Sequence, residues 1–387
     1  MSCPECQEPA RFKGYRTCDL VTLFGRARYS RAYYHCDHCH HGWFPTDAEF
    51  GIEGKQTLAA REVETLAGML HPFAEGAEQV LERMSGLCVS ASTVQRTTEN
   101  TGAAVAAQEA TPEGASRPGK QWEWSRDTAG RRVGYMSLDA TSVPQQGLHG
   151  EKAEGRMPYI GAVFNPAERK VRTRAARRIW DVHYVAGLMT LDEVGRRLRW
   201  EARAVGADQP DVIVCLTDGG NGLEECLTQS LAGVARQLQF VLDFHHACEH
   251  LTEFGQLLWP DDSPGRQAQT SAWCHDLKTL GGERLLETLK RLDLSAAPRH
   301  VLEGYRKLTN YIGGNLHRMD YPTYLANGWQ IGSGIVESAC KTIVCRRLKL
   351  SGMRWREPGT NSLCHLRALY LSSDRRWEDY WNRATAP

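Results

Sequence analysis

The amino-acid sequence predicts an α/β fold that is interrupted by an all-helical insertion and preceded by a cysteine-rich module and a helical segment. Three observations support this prediction. Apolar runs of strand length end in an acid at Asp139 and again at Asp218, and helical segments separate the later runs. Two Cys-x-x-Cys pairs stand near the start of the chain. A long stretch of helical periodicity follows His245.

The overall composition is typical of an ordinary soluble globular protein. The chain has 387 residues, of which 41% are hydrophobic and 24% charged, and its net charge is +1. No apolar run approaches the roughly 18 residues of a membrane span, and the first residues lack the pattern of a signal peptide. The 13 cysteines are scattered and odd in number, which favours a reducing compartment. We therefore expect a cytoplasmic protein.

The cysteine-rich module, residues 1–50, is predicted to be a zinc ribbon, because two paired thiols form four-coordinate tetrahedral zinc sites. The predicted ligands are Cys3, Cys6, Cys36 and Cys39. Strands at Val21–Phe24 and Ala27–Tyr34, with Gly25 turning between them, fit between the pairs. The competing ligands are His35, His38, His40 and His41. A complete shell of four ligands makes the zinc structural.

Residues 51–115 are predicted to form a helical DNA-binding domain and a linker. Apolar residues at helical spacing precede Gly86, and Ser90 is suited to cap the next helix. A helix, a glycine-containing turn and a capped helix are typical of helix-turn-helix units, in which Arg96 would contact DNA. A simple three-helix bundle has the same periodicity. Prolines and glycine predict the linker over Glu109–Pro118.

The predicted catalytic domain comprises residues 125–245 and 332–371. Its predicted strands are Val133–Asp139, Pro158–Phe164, Lys170–Ile179, Pro210–Asp218 and Phe240–Asp243. The first three strands are expected to form a meander. A helix from Asp181 to Ala204 precedes the fourth strand, and Asn221 is expected to cap the helix that follows it.

Three acids are the candidate catalytic residues. Asp139 and Asp218 each end an apolar strand, where α/β sheets hold their ligands, although a lone aspartate there often caps a helix or forms an Asx turn. Glu337 lies in the first turn of a predicted helix, Ile335–Leu350, beyond an all-helical insertion at 246–331. Three acids brought together can hold two divalent ions about 3.5–4 Å apart.

Basic residues cluster in two stretches, Arg169–Arg178 and Arg346–Arg356. Such clusters supply the phosphate contacts that set affinity for nucleic acid. The alternative is that they are solvated faces of helices or strands.

The three acids and two motifs resemble the DDE transposases of bacterial insertion sequences, and in particular the ISKra family. The motifs are Gly332-Ser-Gly-x-x-Glu-Ser-x-x-Lys341 and Arg347-x-Lys349-x-Ser-Gly-Met-Arg-Trp355. In addition, Asp243-Phe-His-His246 resembles a motif of the related hAT and Mutator transposases. The resemblance extends from the cysteine pairs to about Leu371.

The resemblance implies an RNase H-like catalytic core and two magnesium or manganese ions. Asp139 would bridge both ions, while Asp218 and Glu337 would each complete the shell of one. His246 would orient the scissile phosphate or a metal-bound water, or be structural. The candidate DNA contacts are Lys341, Arg347, Lys349, Arg354, Trp355 and Arg96. For Trp355, stacking on an unpaired base competes with a place in the core.

The expected function is therefore that of a transposase, which cuts the ends of an insertion sequence and joins them to target DNA. The expected partner is double-stranded DNA, and a homodimer or larger assembly is expected because two DNA ends must meet. Such a protein would be associated with the nucleoid, and residues 372–387 would form a C-terminal tail. The alternatives are a metal-dependent nuclease or resolvase without strand transfer, and a catalytically silent zinc-containing DNA-binding protein.

Overall fold

The structure, a computed structural model, describes residues 1–111, 121–169 and 177–383. The chain divides into two compact units. The first unit consists of the described parts of Met1–Ala106, Arg356–Tyr370 and Arg375–Pro387. The second consists of the described parts of Ala107–Trp355 and Leu371–Asp374. Arg356–Tyr370, which the sequence assigned to the catalytic domain, packs within the first unit.

The first unit begins with a three-stranded antiparallel sheet in the order β1-β2-β3. Its strands are β1 (Arg11–Thr22), β2 (Gly25–His35) and β3 (Gly42–Trp43). The predicted first strand was placed too late, because Thr22 pairs with Gly25 and the turn consists of Leu23 and Phe24. Gly25 has a φ of +105°, a conformation that glycine adopts without strain.

Helices form the rest of the first unit. They are Pro45–Glu49, Leu58–Leu70, Phe73–Glu75 with a π-helical continuation Gly76–Ser85, Ala91–Glu109, Glu357–Leu371 and Arg376–Arg383. The predicted cap is confirmed: Ser90 Oγ accepts a hydrogen bond from the Thr93 N–H at 3.2 Å. Helix Glu357–Leu371 is tied to this unit by Arg367, which donates to the Met69 carbonyl at 2.7 Å.

A mixed sheet forms the centre of the second unit, with the strand order β10-β9-β4-β7-β8. The strands of this unit are β4 (Val133–Ala140), β5 (Val143–Gln146), β6 (Lys152–Arg156), β7 (Tyr159–Arg169), β8 (Arg177–Gly187), β9 (Val212–Thr217) and β10 (Leu238–Leu242). β4, β7 and β8 form a three-stranded antiparallel meander where one was predicted, but β8 extends to Gly187, eight residues beyond the predicted end at Ile179. β9 runs parallel to β4, and β10 runs parallel to β9. The β5–β6 hairpin was not predicted.

Two predicted elements differ from the structure. The predicted helix Asp181–Ala204 was placed ten residues too early at its start. The observed helix begins at Leu191, because residues up to Gly187 belong to β8 and pair with β7. Thr190 then caps the helix by accepting from the Glu193 N–H at 3.2 Å. The predicted cap Asn221 is also wrong: Gly222 begins the next helix with a φ of +79° and no side-chain cap. Residues 170–176, within a predicted strand and the first basic cluster, lie outside the described residues.

The two faces of the mixed sheet are covered by different helices. Helices Leu191–Ala204 and Leu223–Leu231 pack on one face. The predicted helical insertion covers the other, where Trp273, Leu285 and Ile312 share a core with Tyr135 and Val214. The helices of the insertion are Phe244–Leu258, Ser263–Lys290, Arg299–Asn315 and Tyr321–Ala326. Burial on both faces explains the continuous apolar run of β9. None of the described helices is both long and apolar enough to cross a membrane.

Candidate metal centre and acid cluster

The four predicted cysteine ligands come together in the first unit. Among the described residues, Cys3, Cys6, Cys36 and Cys39 form the only group of three or more potential ligands whose atoms all lie within 4.8 Å of one another. The Cys3 and Cys39 sulfurs are 3.5 Å apart, as are those of Cys6 and Cys36. None of the competing histidines belongs to this group. The four sulfurs can hold a metal such as zinc.

The pKa values of the cysteine thiols differ from one another. Backbone N–H groups, first that of Cys39, lower the pKa of Cys36 to about 6. The backbone of Glu8 acts to lower the pKa of Cys6, but burial and the other three sulfurs raise it to about 12. Thiols in such a group hydrogen-bond to one another by sharing protons, so they can lie together before a metal displaces those protons.

The three acids converge at one edge of the mixed sheet in the second unit. Asp139 is near the end of β4, and Asp218 directly follows β9. Because these strands are parallel, their carboxyl ends lie at the same edge. Glu337 is in the first turn of helix Gly334–Ala339, which packs against β4 and β7. All three carboxylates are half-buried.

The surroundings of Asp139 change the pKa of its carboxyl group. Burial raises the pKa of its carboxyl group above the ordinary value, and the charges of Asp218 and Glu337 raise it further. The Ala140 N–H, which donates to Asp139 Oδ1 at 2.6 Å, acts in the opposite direction. The three acids are nevertheless less tightly clustered than the cysteines. Among the described residues, no set of three carboxylates has ligand oxygens that all lie within 4.8 Å of one another. They are near enough to repel one another, and a cation between them would relieve that repulsion.

Asp243 anchors the loop that leads to Glu337. It is fully buried and caps helix Phe244–Leu258, where it accepts from the His246 N–H at 2.9 Å. Its other oxygen accepts from the Ser333 N–H at 2.5 Å and from the Ser333 hydroxyl. Ser333 in turn accepts the Glu337 N–H on its carbonyl oxygen at 3.0 Å. Asp243 therefore holds the start of the Glu337 helix next to the end of β10.

His246 lies next to this anchor, but its ring makes other contacts. Its Nδ1 is 3.3 Å from a Glu249 oxygen, and its ring centroid is 4.7 Å from that of His250. Its catalytic role stays a prediction.

The candidate DNA contacts fall into two groups. Arg96, Lys341 and Arg354 are exposed, and Lys349 is half-buried with its Nζ 2.7 Å from Thr141 Oγ1. Arg347 and Trp355 are not available to DNA in this conformation. Arg347 is 0% exposed and Trp355 is 7% exposed. The Arg347 guanidinium lies 4.9 Å from the Trp355 ring centroid, so the two form a cation–π pair inside the second unit.

No protein-family model matches this chain, and no curated protein sequence matches it.

Sequence reasoning missed Cys340 as a member of the acid cluster. Its thiol donates to Asp139 Oδ2 at 3.3 Å, and its side chain is buried. The helix of Glu337 changes to π-helical geometry at this residue, over Cys340–Cys345. The sequence feature that could have identified Cys340 is its position three residues after Glu337, which places both side chains on one helical face.

Tyr311 was also missed. Its hydroxyl donates to the Asp218 carbonyl at 3.1 Å and so ties the helical insertion to the turn after β9. The sequence marked Tyr311 only as part of an insertion, and nothing in its spacing indicates a partner 93 residues away.

Proposed function

We propose that the protein is a DDE-type DNA transposase that binds the ends of an insertion sequence, cuts them and joins them to target DNA. The observation that supports this most is the convergence of Asp139, Asp218 and Glu337 at one sheet edge, where burial raises the pKa of Asp139 and the charges of the other two acids raise it further. Mutual repulsion of half-buried carboxylates is hard to explain without a cation.

Asp139, Asp218 and Glu337 offer oxygen ligands of the kind that magnesium or manganese prefers, and these three residues would hold the two ions. Such ions, when bound, supply activation of a water or a 3′-hydroxyl and stabilisation of the leaving oxygen. The residues of the chain set the positions of the ligands. Asp243 and Ser333 fix the start of the Glu337 helix, and the exposed Lys341 and Arg354 offer positive charge to the DNA backbone.

Three further features support the proposal. The second unit has an antiparallel meander followed by two parallel strands that helices connect, which is the strand order expected for the RNase H-like core that the resemblance implies. The helical insertion lies between Asp218 and Glu337, as in the predicted arrangement. The first unit contains both a four-cysteine group suited to structural zinc and a capped helix, Ala91–Glu109, on which Arg96 is exposed and would contact DNA. A homodimer or larger assembly, associated with the nucleoid, would bring two DNA ends together.

The test uses duplexes copied from the DNA that flanks the coding sequence, with cleavage measured in magnesium or manganese. The expected result is that Asp139→Ala abolishes cleavage and leaves duplex binding intact. Asp208→Ala, at an exposed acid of the same unit, is the matched control and should cleave like wild type. Cleavage by Asp139→Ala at the wild-type rate would overturn the assignment of the acid cluster.

A second assay separates the transposase from a nuclease or resolvase. It supplies a pre-nicked duplex with a free 3′-hydroxyl and a plasmid target. A transposase covalently joins the 3′ end to the plasmid, whereas a nuclease only cuts. A protein that binds the duplex but does neither would be a catalytically silent DNA-binding protein.

A further inference from the structure

The first unit contains a polar cavity next to the capped helix. Its volume is about 410 Å³. Small-molecule sites typically occupy about 300–1,000 Å³. We call it the Arg96 cavity, and its walls include Glu53, Gln56, Arg61, Arg96, Asn100 and Tyr380. Arg96 and Asn100 are four residues apart in helix Ala91–Glu109, so they lie on the same face of that helix.

Positive charge exceeds negative charge in these walls. The walls carry two guanidinium groups, those of Arg61 and Arg96, and one carboxylate, that of Glu53. The buried Glu64 carboxylate lies behind the walls and interacts electrostatically with Arg96. Glu53 forms an ion pair with Arg61. Arg96 forms no salt bridge with any of the described residues and is exposed. The Arg96 guanidinium is therefore available to an anion, and its planar donors suit a phosphate.

A buried hydrogen-bond network lies behind the walls. Glu64 is fully buried, and its Oε2 accepts from the Gln56 amide at 2.5 Å and from the Thr97 hydroxyl at 3.0 Å. Gln56 and Thr97 both line the cavity, so this network fixes the orientation of two of its polar groups.

Three buried polar atoms around the cavity lack hydrogen-bond partners among the described residues: Glu64 Oε1, Arg61 Nε and Trp381 Nε1. Each unsatisfied buried group destabilises the folded state, so native structures keep few of them. These three atoms lie behind the cavity surface, and two of them belong to residues that line the cavity, Arg61 and Trp381.

We propose that the Arg96 cavity binds a nucleotide, with its phosphate at Arg96, its base edge at Asn100 and Gln56, and an aromatic contact from Tyr380. An anionic group, a set of hydrogen-bonding edges and a planar ring are the chemistry that these walls complement. The nucleotide is either a free deoxynucleoside monophosphate or an unpaired nucleotide at a DNA end. The proposal does not depend on the acid cluster, which belongs to the other unit.

The test measures binding of the four deoxynucleoside monophosphates and of inorganic phosphate to the full chain by calorimetry. Arg96→Ala and Asn100→Ala should each weaken nucleotide binding by about tenfold, as expected when a hydrogen bond to a charged or buried group is lost. Gln95→Ala, at an exposed position beside Arg96 that does not line the cavity, is the matched control and should bind like wild type.

Competition identifies the source of the nucleotide. A duplex with a short single-stranded tail should displace the mononucleotide if the cavity takes DNA ends, whereas a blunt duplex should not. Failure of the tailed duplex to compete assigns the cavity to free nucleotides. The proposal is overturned if Arg96→Ala binds nucleotides like wild type, or if phosphate alone binds as tightly as the nucleotides. Asp139→Ala should retain nucleotide binding, so a failure here is distinct from a failure of the proposed catalytic function.

Discussion

The cysteine group and the acid cluster both consist of side chains that can bind metals, but only the four cysteines lie close enough together to share one ion. Four sulfurs lie within 4.8 Å of one another, whereas the three carboxylates do not form such a set among the described residues. Thiols can share protons and so lie in contact without a metal. Carboxylates that are ionised repel one another; burial raises the pKa of Asp139, and the charges of Asp218 and Glu337 raise it further.

The two clusters also differ in how the chain builds them. Each cysteine pair occupies a single short turn, in which the Gln7 N–H donates to the Cys3 carbonyl at 3.0 Å and the Cys36 N–H to the His41 carbonyl at 2.8 Å. One hairpin then joins the two turns. The acids come from two strands and a helix that begins more than 100 residues after Asp218. We infer that the cysteine group depends on local structure, while the acid cluster depends on the packing of the whole second unit.

The largest expected effect is loss of metal from the cysteine group. Cys36→Ser removes one of four ligands, so zinc content should fall from about one ion per chain to nearly none. Mass spectrometry of bound metal and circular dichroism of the first unit check this. Cys88→Ser, at an exposed cysteine of the same unit, should keep its zinc. Full zinc content in Cys36→Ser would contradict a four-sulfur site.

Divalent ions should stabilise the second unit through the acid cluster. A ligand that binds only the folded state adds about 2.7 kcal/mol at a hundred times its Kd. Magnesium should therefore raise the Tm of the wild type but not that of Asp139→Asn, which lacks the central charge. Differential scanning calorimetry with and without magnesium makes the comparison. An equal rise in both proteins would mean that the ion binds elsewhere.

The anchor of the Glu337 helix should be the next most sensitive feature. Ser333→Ala removes the hydroxyl donor to the buried Asp243 carboxylate, and the loss should cost about 1–3 kcal/mol of unfolding free energy. Urea unfolding measures the loss. The control is Ser338→Ala, an exposed serine on the same helix, which should change stability little. Equal stability of the two variants would show that Asp243 does not hold this loop.

Cys340 should affect metal binding more than stability. Its thiol orients Asp139 Oδ2, so Cys340→Ala should weaken manganese binding by about fivefold or less, as fits a weak donor. Cys340→Ser restores a donor and should recover most of the affinity. Cys345→Ala, in the same π-helical segment, serves as the control for helix geometry. Titration monitored by electron paramagnetic resonance gives the affinities, and no recovery in the serine variant would indicate a packing role only.

The smallest expected effect concerns pH in the absence of divalent ions. The folded-state pKa of Asp139 is raised, so the folded state favours the protonated carboxyl group and wild-type stability should fall as pH rises above the ordinary aspartate range. Asp139→Asn lacks this group. Its Tm should exceed that of the wild type at neutral pH, and the gap should close in acid. A gap that does not depend on pH would rule out ionisation of Asp139 as the cause.

Several features of the fold were predictable because their signals are local. The cysteine pairs, the Ser90 cap, the apolar run of β9 and the helical insertion each follow from a short pattern of residues. The start of helix Leu191–Ala204 was not predictable in this way. Residues up to Gly187 belong to β8 because β7 offers them a pairing partner, and that partner is distant in the sequence.

The sequence by itself determined which residues are candidates for metal binding and catalysis: four thiols, three acids and the motifs around Glu337. Tertiary structure alone decided which of them meet and which are buried. It ties Asp243 to Ser333 and Cys340 to Asp139, and it buries Arg347 against Trp355 instead of exposing it to DNA. The physical reason is that a residue type fixes what a side chain can donate, accept or bind, whereas its exposure and partners depend on packing between elements far apart in the chain.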